Sequence, residues 1–388
     1  MLAALIRQCV TLARVKKYQV FMCSSTTSST SGCGEHLVPL LGMTRSELET
    51  VAAEAGMRPF AARQMMKWLY EKGAASLDAM TDLSKTGREN LSKHYCTGVR
   101  QWKDLQVSGD GTQKFLFTSA AGTPVETVFI PEGDRATVCV SSQSGCKMHC
   151  KFCLTGKQGF YSQLTPADIL AQIYSLPQRP QVTNIVFMGQ GEPFDNYDNV
   201  VKAIFLLTSP EAAAMSPKRI TLSTCGLLPA LKRFVNDTRC NIAISLHSPF
   251  HDERMDIMPV EKAYAIADVV DYLSGVEAFR DIRGGARREG SHQRRLSFEY
   301  ILLKGCNDTP HHVSALKALL RRLDCRVNVI PFHPYPGAAY AAPLHADATA
   351  FVDRLCACGI NATLRRSRGL DISAACGMLA SKTKLQIE

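Results

Sequence analysis

The sequence predicts an α/β protein in which a small helical domain precedes a full or partial barrel of about six βα units. Three observations carry that expectation. From Arg135 onward, short runs rich in β-branched and aromatic residues alternate with helical stretches, the pattern of parallel strands joined by crossover helices. Before that point apolar residues recur at helical spacing. At 388 residues and 46% hydrophobic side chains, the chain is long enough to bury one large core or two.

Taken in order, the first 34 residues hold Arg7, Arg14, Lys16 and Lys17, many serines and threonines, and no acidic residue before Glu35. That composition fits an organellar transit peptide and equally a disordered or misassigned extension, so residues 1–36 are set apart from the fold. The first reading places the protein in a mitochondrion or plastid, the second in the cytoplasm. Residues 37–118 form the helical domain, which is the natural place for RNA contacts if RNA is the partner. In "TRSELETVAAEAG" Thr44 precedes Glu47 by three residues, an N-terminal capping signature. "RPFAARQMMKWLYEKG" sets Phe60, Met65, Trp68 and Leu69 on one apolar stripe, which reads as core packing. "DGTQKFLFTSAAGTPVETVFIP" then reads as a turn-linked antiparallel pair, with a linker to the barrel from residue 119.

The barrel spans residues 135–380. Its strand candidates are "RATVCV", "TNIVFMG", "RITLST", "NIAISL", "LSFEYILL", "RVNVIPF" and "NATLRRS", with helices such as "PADILAQIYSL" and "HHVSALKALLRRL" between them. Chemistry in such a barrel sits at the C-terminal ends of the strands. Residues 281–295, "DIRGGARREGSHQRR", interrupt the rhythm and read as an exposed basic insertion. Residues 381–388 are left as a tail.

A net charge of +10 favours an anionic partner, nucleic acid first. No apolar run approaches the roughly 18–20 residues of a membrane span, so no membrane partner is expected. Fifteen cysteines without a secretory cleavage signal argue for free thiols in a reducing compartment. Cys225, Cys240, Cys325, Cys356 and Cys358 lie in or beside apolar segments and are expected to pack as small hydrophobes.

Four other cysteines are concentrated in "CVSSQSGCKMHCKFC". Cys146, Cys150 and Cys153 follow the strand "RATVCV" in a loop able to wrap a soft metal centre. A structural zinc site usually closes with four ligands. Three cysteines instead leave one iron of a cubane cluster open to a substrate or cofactor. Phe152 would shield such a centre from water.

The C-x3-C-x2-C spacing after the first strand of a partial barrel resembles the signature of radical S-adenosylmethionine (SAM) enzymes. "GCKMHCKFCLTGKQGF", "NIVFMGQGEP", "RITLSTCG", "AISLHSP", "VNVIPFHPYPG" and "SRGLDISAACG" occur in the order seen in the RlmN-type adenine-C2 methyltransferases of ribosomal and transfer RNA. The similarity runs from about Val38 to Ala380. It implies a partial (βα)6 radical-SAM barrel behind a helical domain, with Cys146, Cys150 and Cys153 holding a [4Fe-4S] cluster whose free iron chelates SAM. It implies further SAM contacts at Gly191 and Glu192, at Ser223, and at Ser245, Leu246 and His247. Two positions depart from the pattern. His333 stands in "IPFHP" where the family usually places a SAM-contacting Asn, and a neutral imidazole can donate and accept as an amide does. Leu370 stands where an acidic residue is common.

The resemblance also implies a route around the poor nucleophilicity of adenine C2. Cys376 matches a carrier that takes a methyl group from one SAM. A second SAM yields the radical that activates the methylthioether for addition to C2. Cys139 matches the thiol that then attacks the Cys376 sulfur and frees the product. Glu126 corresponds to a proton acceptor, although an isolated Glu in a strand is more readily expected at a surface or edge. The target base must leave its stack, at a cost of a few kcal/mol. The implied partners are ribosomal or transfer RNA and an electron donor such as flavodoxin or ferredoxin, with the chain a monomer. Two alternatives stay open: a C8-specific adenine methyltransferase, separated by product analysis, and a non-catalytic RNA-binding or ribosome assembly factor, separated by a SAM-cleavage assay.

Overall fold

The computed structural model describes residues 37–280 and 294–379. The N-terminal extension, residues 281–293 of the basic insertion and the tail from residue 380 lie outside the described residues. Thr44 caps helix α1 (Arg45–Glu54) through the reciprocal pair expected: Glu47 N–H donates to Thr44 Oγ1 at 3.5 Å and Thr44 N–H to Glu47 Oε2 at 2.7 Å. Helix α2 (Ala61–Met66) continues as a π-helical stretch, Lys67–Lys72, and α3 covers Lys85–Leu91. Met65 and Leu69 are buried as the stripe required. Trp68 is half-buried under Lys72 Nζ, 3.4 Å above its ring. Phe60 departs from the stripe and is 64% exposed, because it precedes the first helical turn at the N-cap of α2.

Helix gives way to sheet well before residue 118. Strands β1 (Asp104–Val107), β2 (Gln113–Thr118), β3 (Pro124–Glu132) and β4 (Arg135–Cys139) pair antiparallel in succession. Phe115 and Phe117 alternate inward along β2, a period of two that no helix satisfies. From β4 the sheet turns parallel through β5 (Asn184–Phe187), β6 (Ile220–Thr224), β7 (Asn241–Ser245), β8 (Leu296–Leu302), β9 (Arg326–Pro331) and β10 (Asn361–Leu364). Among the described residues these ten strands form one sheet in chain order, and no ladder joins β10 back to β4. Helices α4 (Pro166–Tyr174), α5 (Tyr197–Thr208), α6 (Leu228–Asp237), α7 (Ile266–Gly275), α8 (Pro310–Leu320) and α9 (His345–Ala357) make the crossovers. Six βα units and a seventh parallel strand thus give a barrel with an open seam.

Leu48, Met65 and Leu69 of the N-terminal region belong to the same apolar cluster as Ile185, Leu222 and Val327 of the barrel strands. Buried Tyr70 ties the two regions further. Its hydroxyl takes Gly42 N–H at 2.9 Å, and its carbonyl receives Tyr174 Oη at 3.0 Å and Arg179 Nη2 at 2.8 Å.

The end of the basic insertion corrects its reading as wholly exposed. Arg294 is buried and spends its guanidinium on carbonyls that close α6, including Val235 O at 3.1 Å and Thr238 O at 3.3 Å. Desolvation among these carbonyls lowers its pKa to about 10. Cys356 is likewise exposed instead of packed, on the outer face of α9.

Candidate active site

The C-terminal ends of β4 to β8 converge on a cavity, and the loop after β4 covers it. Gln172 on α4 holds the start of that loop: its Oε1 accepts Ser141 N–H at 2.7 Å and its Nε2 donates to Ser141 O at 2.9 Å. Ser141 Oγ donates to Glu126 O at 2.7 Å and accepts Gln190 N–H at 2.9 Å, so one hydroxyl registers β3 against the turn after β5. That turn needs glycine. At Gly191 φ is +96°, and a Cβ would stand 2.5 Å from Gln143 Cβ.

Cys146, Cys150 and Cys153 are free thiols lining one wall of the cavity, with half-exposed Met148 between them and buried Phe152 beside them. Burial pushes Cys146 up to about 12 and holds Cys150 and Cys153 above the usual thiol range. Such groups ionise when a metal replaces the proton. Among the described residues no three His, Cys, Asp or Glu side chains close round a single ion. A cubane cluster takes its cysteines at separate corners, so this set of three sulfur donors fits a cluster better than a mononuclear zinc centre.

Glu192 lines the same cavity as the thiols, buried, its pKa raised by desolvation against the bonds it accepts. Oε1 accepts Thr224 Oγ1 at 2.7 Å and Phe194 N–H at 3.0 Å; Oε2 accepts Cys225 N–H at 2.8 Å. A fixed carboxylate in this position suits an ammonium group. Ser223, Ser245 and His247 line the same cavity. His247 sits at φ +60°, and its Nδ1 accepts Ile301 N–H at 2.9 Å. Burial pushes its pKa down to about 3, so the ring is neutral and its proton is assigned to Nε2. Phe152 packs against it in a T-shaped contact with ring centres 4.6 Å apart.

Two expected contacts are not brought to the cavity wall. Leu246 is fully buried in the core, its N–H donating to Glu299 O at 3.0 Å, because alternation along the chain turns it away from its neighbours Ser245 and His247. His333 is paired with Ser367 Oγ at 2.6 Å, outside the cavity lining, and burial lowers its pKa.

Cys139 and Cys376, 237 positions apart in the sequence, are brought together. Cys139, Ala374 and Leu379 share an apolar cluster that Met188 joins. Cys376 lines the cavity and is exposed. Burial raises Cys139 to about 12, the nearby Cys376 adds to the rise, and Arg365 opposes it. The segment carrying Cys376 is latched across the cysteine loop: Leu154 N–H donates to Gly377 O at 2.8 Å and Thr155 Oγ1 to Leu379 O at 2.7 Å.

Glu126 overturns the expectation of a surface or edge position. It lies on β3 between β2 and β4, is 4% exposed, and pairs with Lys114 Nζ at 3.3 Å.

Sequence reading also missed the supports. Arg254, wholly buried, pairs with Glu261 and donates to Cys225 O at 2.8 Å, Ser245 O at 2.9 Å and Leu246 O at 3.0 Å, binding the ends of β6 and β7. Asn307 holds the His247 turn through a 2.7 Å bond to His247 O. Arg365 pairs with buried Glu299 at 3.4 Å, and Glu299 lines the cavity. Cys225 packs in the core as expected, yet it also lines the cavity beside Glu192. None of these sits in a spacing that distinguishes it from an ordinary helix or loop residue.

Residues 38–97 match the family model described as the ribosomal RNA large subunit methyltransferase N-terminal domain, and residues 140–287 match the radical SAM superfamily. A probable dual-specificity RNA methyltransferase RlmN of Bacteroides fragilis is 49% identical over 343 residues, covering 88% of this chain and 96% of the relative. Its counterpart in Bacteroides thetaiotaomicron is 47% identical over the same shares. Among solved structures, a radical SAM methyltransferase from Sphaerobacter thermophilus superposes with a TM-score of 0.80 at 37% identity, covering 88% of this chain and 98% of that one.

Proposed function

The chain belongs to the RlmN family of radical SAM RNA methyltransferases, and from that premise we propose that it methylates C2 of adenine in large-subunit ribosomal RNA, in transfer RNA, or in both, through a methyl group carried on Cys376. The observation that carries this reading is the meeting of Cys139 and Cys376 beside a cavity lined by the three thiols of the cysteine loop and a buried carboxylate. A methyltransferase that passed the methyl group directly from SAM would need neither thiol.

Cys146, Cys150 and Cys153 would hold a [4Fe-4S] cluster, with SAM bound toward Glu192, Ser223, Ser245 and His247. When bound, the cluster supplies the electron that cleaves SAM. The chain's own residues do the rest. The exposed thiol of Cys376 accepts the methyl group and presents it to the base. Once a hydrogen atom of that methyl group has been lost to the 5′-deoxyadenosyl radical that cleavage of a second SAM would give, its carbon bonds to C2; Glu126 then takes the C2 proton, and the odd electron would return to the cluster. The thiolate of Cys139 attacks the Cys376 sulfur, forming a disulfide and releasing the methylene carbon, which gains a proton and leaves as a methyl group. A general thiol reductant must then reopen the disulfide.

The chain is taken to act as a monomer, with flavodoxin or ferredoxin as electron donor. The composition of residues 1–34 supports delivery to an organelle. A reporter fused to that segment should enter a mitochondrion or plastid, and a uniformly cytosolic reporter would return the enzyme to the cytoplasm. The function itself is tested by nucleoside mass spectrometry of RNA from cells lacking the protein: 2-methyladenosine should disappear from at least one RNA class. Loss of 8-methyladenosine instead would move the reaction to C8.

A further inference from the structure

Cys376 lies on the last described stretch of the chain, residues 365–379, which holds no α-helix and no strand. Regular structure therefore does not fix where its thiol can reach. Yet in the proposed reaction that one thiol must meet the methyl group of SAM, the target base and Cys139 in turn. Contacts outside the cysteine cavity supply the missing constraint.

Two carboxylates tie the root of this arm to the turn between β1 and β2, one from each partner. From the turn, Asp110 Oδ2 accepts Gly369 N–H at 3.1 Å and stands 3.0 Å from Arg368 Nε. Arg368 Nη2 donates back to Asp110 O at 3.0 Å and across to Pro131 O of β3 at 2.8 Å. From the arm, Asp371 accepts Ser108 Oγ at 2.6 Å and Gly109 N–H at 3.1 Å. The turn is itself braced, since Thr112 N–H donates to Asp110 Oδ1 at 2.9 Å and Ser108 N–H to Thr112 O at 2.8 Å. Gly369 sits at φ +63°, and a Cβ there would stand 2.9 Å from Thr112 Cγ2, so the arm lies directly on the turn.

Beyond its root the arm follows one row of the sheet. The registers set Lys114 of β2 opposite Val128 of β3, and Val128 opposite Cys139 of β4, so these three side chains share a face. Lys114 Nζ donates to Ser373 O at 3.5 Å, and Val128 and Cys139 share an apolar cluster with Ala374 and Leu379. Strand β3 thus carries both the carbonyl that receives Arg368 and the register partner of Cys139. Holding the root against β3 sets the position of the carrier thiol relative to the resolving one. Ser108, Asp110 and Asp371 do none of this from the SAM side, because none of them lines the cavity at the cysteines.

We propose that the β1–β2 turn anchors the carrier arm, with Asp110 the positioning residue that sets where Cys376 meets its reaction partners. The inference rests on the methyl-carrier reading and adds to it the part that holds the carrier in place. A displacement of about 1 Å is enough to cost about 10²-fold in a step that depends on alignment. Loss of the anchor should therefore uncouple SAM cleavage from methylation, because the cluster cysteines and the SAM wall stay as they are.

The test uses full-length, cluster-reconstituted enzyme with dithionite as reductant. Asp110→Ala is compared with parent and with Asp134→Ala, which removes a carboxylate from the exposed turn between β3 and β4. Hydrogen exchange at the amides of residues 369–377 should quicken at least tenfold in Asp110→Ala, with the barrel strands unchanged. With substrate RNA and saturating SAM, the 5′-deoxyadenosine released per methylated adenine should rise at least tenfold, while SAM cleavage without RNA matches parent. A general loss of stability would instead lower cleavage and methylation together and leave their ratio alone. Asp110→Asn keeps an oxygen for Gly369 N–H and should recover part of the coupling. Should Asp110→Ala fail to hold its cluster, Arg368→Gln is read in both assays in its place. Exchange equal to that of the Asp134→Ala control overturns the proposal. Faster exchange with the parent ratio also overturns it and reduces the clamp to a packing contact. If parent enzyme methylates no RNA, the functional reading fails first, and exchange alone then decides whether the turn anchors the arm.

Discussion

Lys114 Nζ lies 3.3 Å from Glu126 Oε1 across neighbouring strands, and both side chains are almost wholly buried. The register sets Lys114 opposite Val128, two positions from Glu126, so the pair is diagonal on one face of the sheet. Glu126→Gln should leave methylation of Cys376 and SAM cleavage intact. Release of methylated RNA should slow by about 10²–10⁴, the usual contribution of a positioned base. Lys114→Met should destabilise the fold by about 3–5 kcal/mol, because it takes a buried cation away from a buried carboxylate. Urea denaturation reads the second effect and single-turnover product release the first. A Lys114→Met protein as stable as parent would show that the ion pair contributes nothing to the fold.

Arg254 is expected to be the most sensitive supporting residue. Its guanidinium is fully buried and joins three backbone carbonyls at the ends of β6 and β7 to Glu261. Arg254→Met leaves Glu261 without its cation and should cost about 3–5 kcal/mol. Glu261→Gln in the same chain should recover part of that loss. Denaturation of the two single variants and the double variant measures the coupling, and strictly additive effects would refute it.

Much of this fold is legible in the amino-acid sequence. Seven parallel strands lie within a few residues of the runs that suggest them, because β-branched residues buried on both faces leave a continuous apolar signal. The cysteine loop is legible from its spacing, and the Gly191–Glu192 turn and the serines at strand ends only through the family resemblance. Glu126 is not, because one acidic residue in a strand looks the same whether a buried lysine answers it or not. Lys114 lies twelve positions earlier, a separation fixed by the β2–β3 register and carried by no local pattern. The same holds for Arg254 and Arg294, whose partners are mostly carbonyls, which sequence does not distinguish. The side chain of Leu246 lies off the cavity wall for a simpler reason. A motif quoted whole does not say which of its residues alternation sends into the core.

His247 gives a pH signature with a definite sign. Its folded pKa is pushed from 6.5 down to about 3, so below pH 6.5 the unfolded chain binds a proton that the folded chain refuses. Its contribution to stability is therefore full above pH 6.5 and is lost as the pH falls toward 3. Between pH 6.5 and 5 the loss should be about 2 kcal/mol at 1.36 kcal/mol per pH unit. His247→Asn can still accept Ile301 N–H and has no proton to gain. Measured on iron-free protein, the variant should lose that much of the acid slope. An unchanged slope would mean that the ring is protonated where it lies.

Cys139 should act only after the carbon–carbon bond has formed. Its thiol is buried and held near 12, so it ionises poorly until the adduct changes its surroundings, which protects it from methylation while Cys376 stands exposed. Cys139→Ala should accordingly still carry a methyl group on Cys376, cleave a second SAM and add to adenine. With no thiol to attack the Cys376 sulfur, the protein should remain bound to RNA through a methylene bridge. Cys139→Ala/Cys376→Ala should form no such adduct, because the carrier is gone. Denaturing gels with labelled RNA, followed by mass spectrometry of the attached peptide, read both outcomes. Normal turnover by Cys139→Ala, or attachment at a residue other than Cys376, would dismantle the two-thiol assignment while leaving the three cluster cysteines and the barrel untouched.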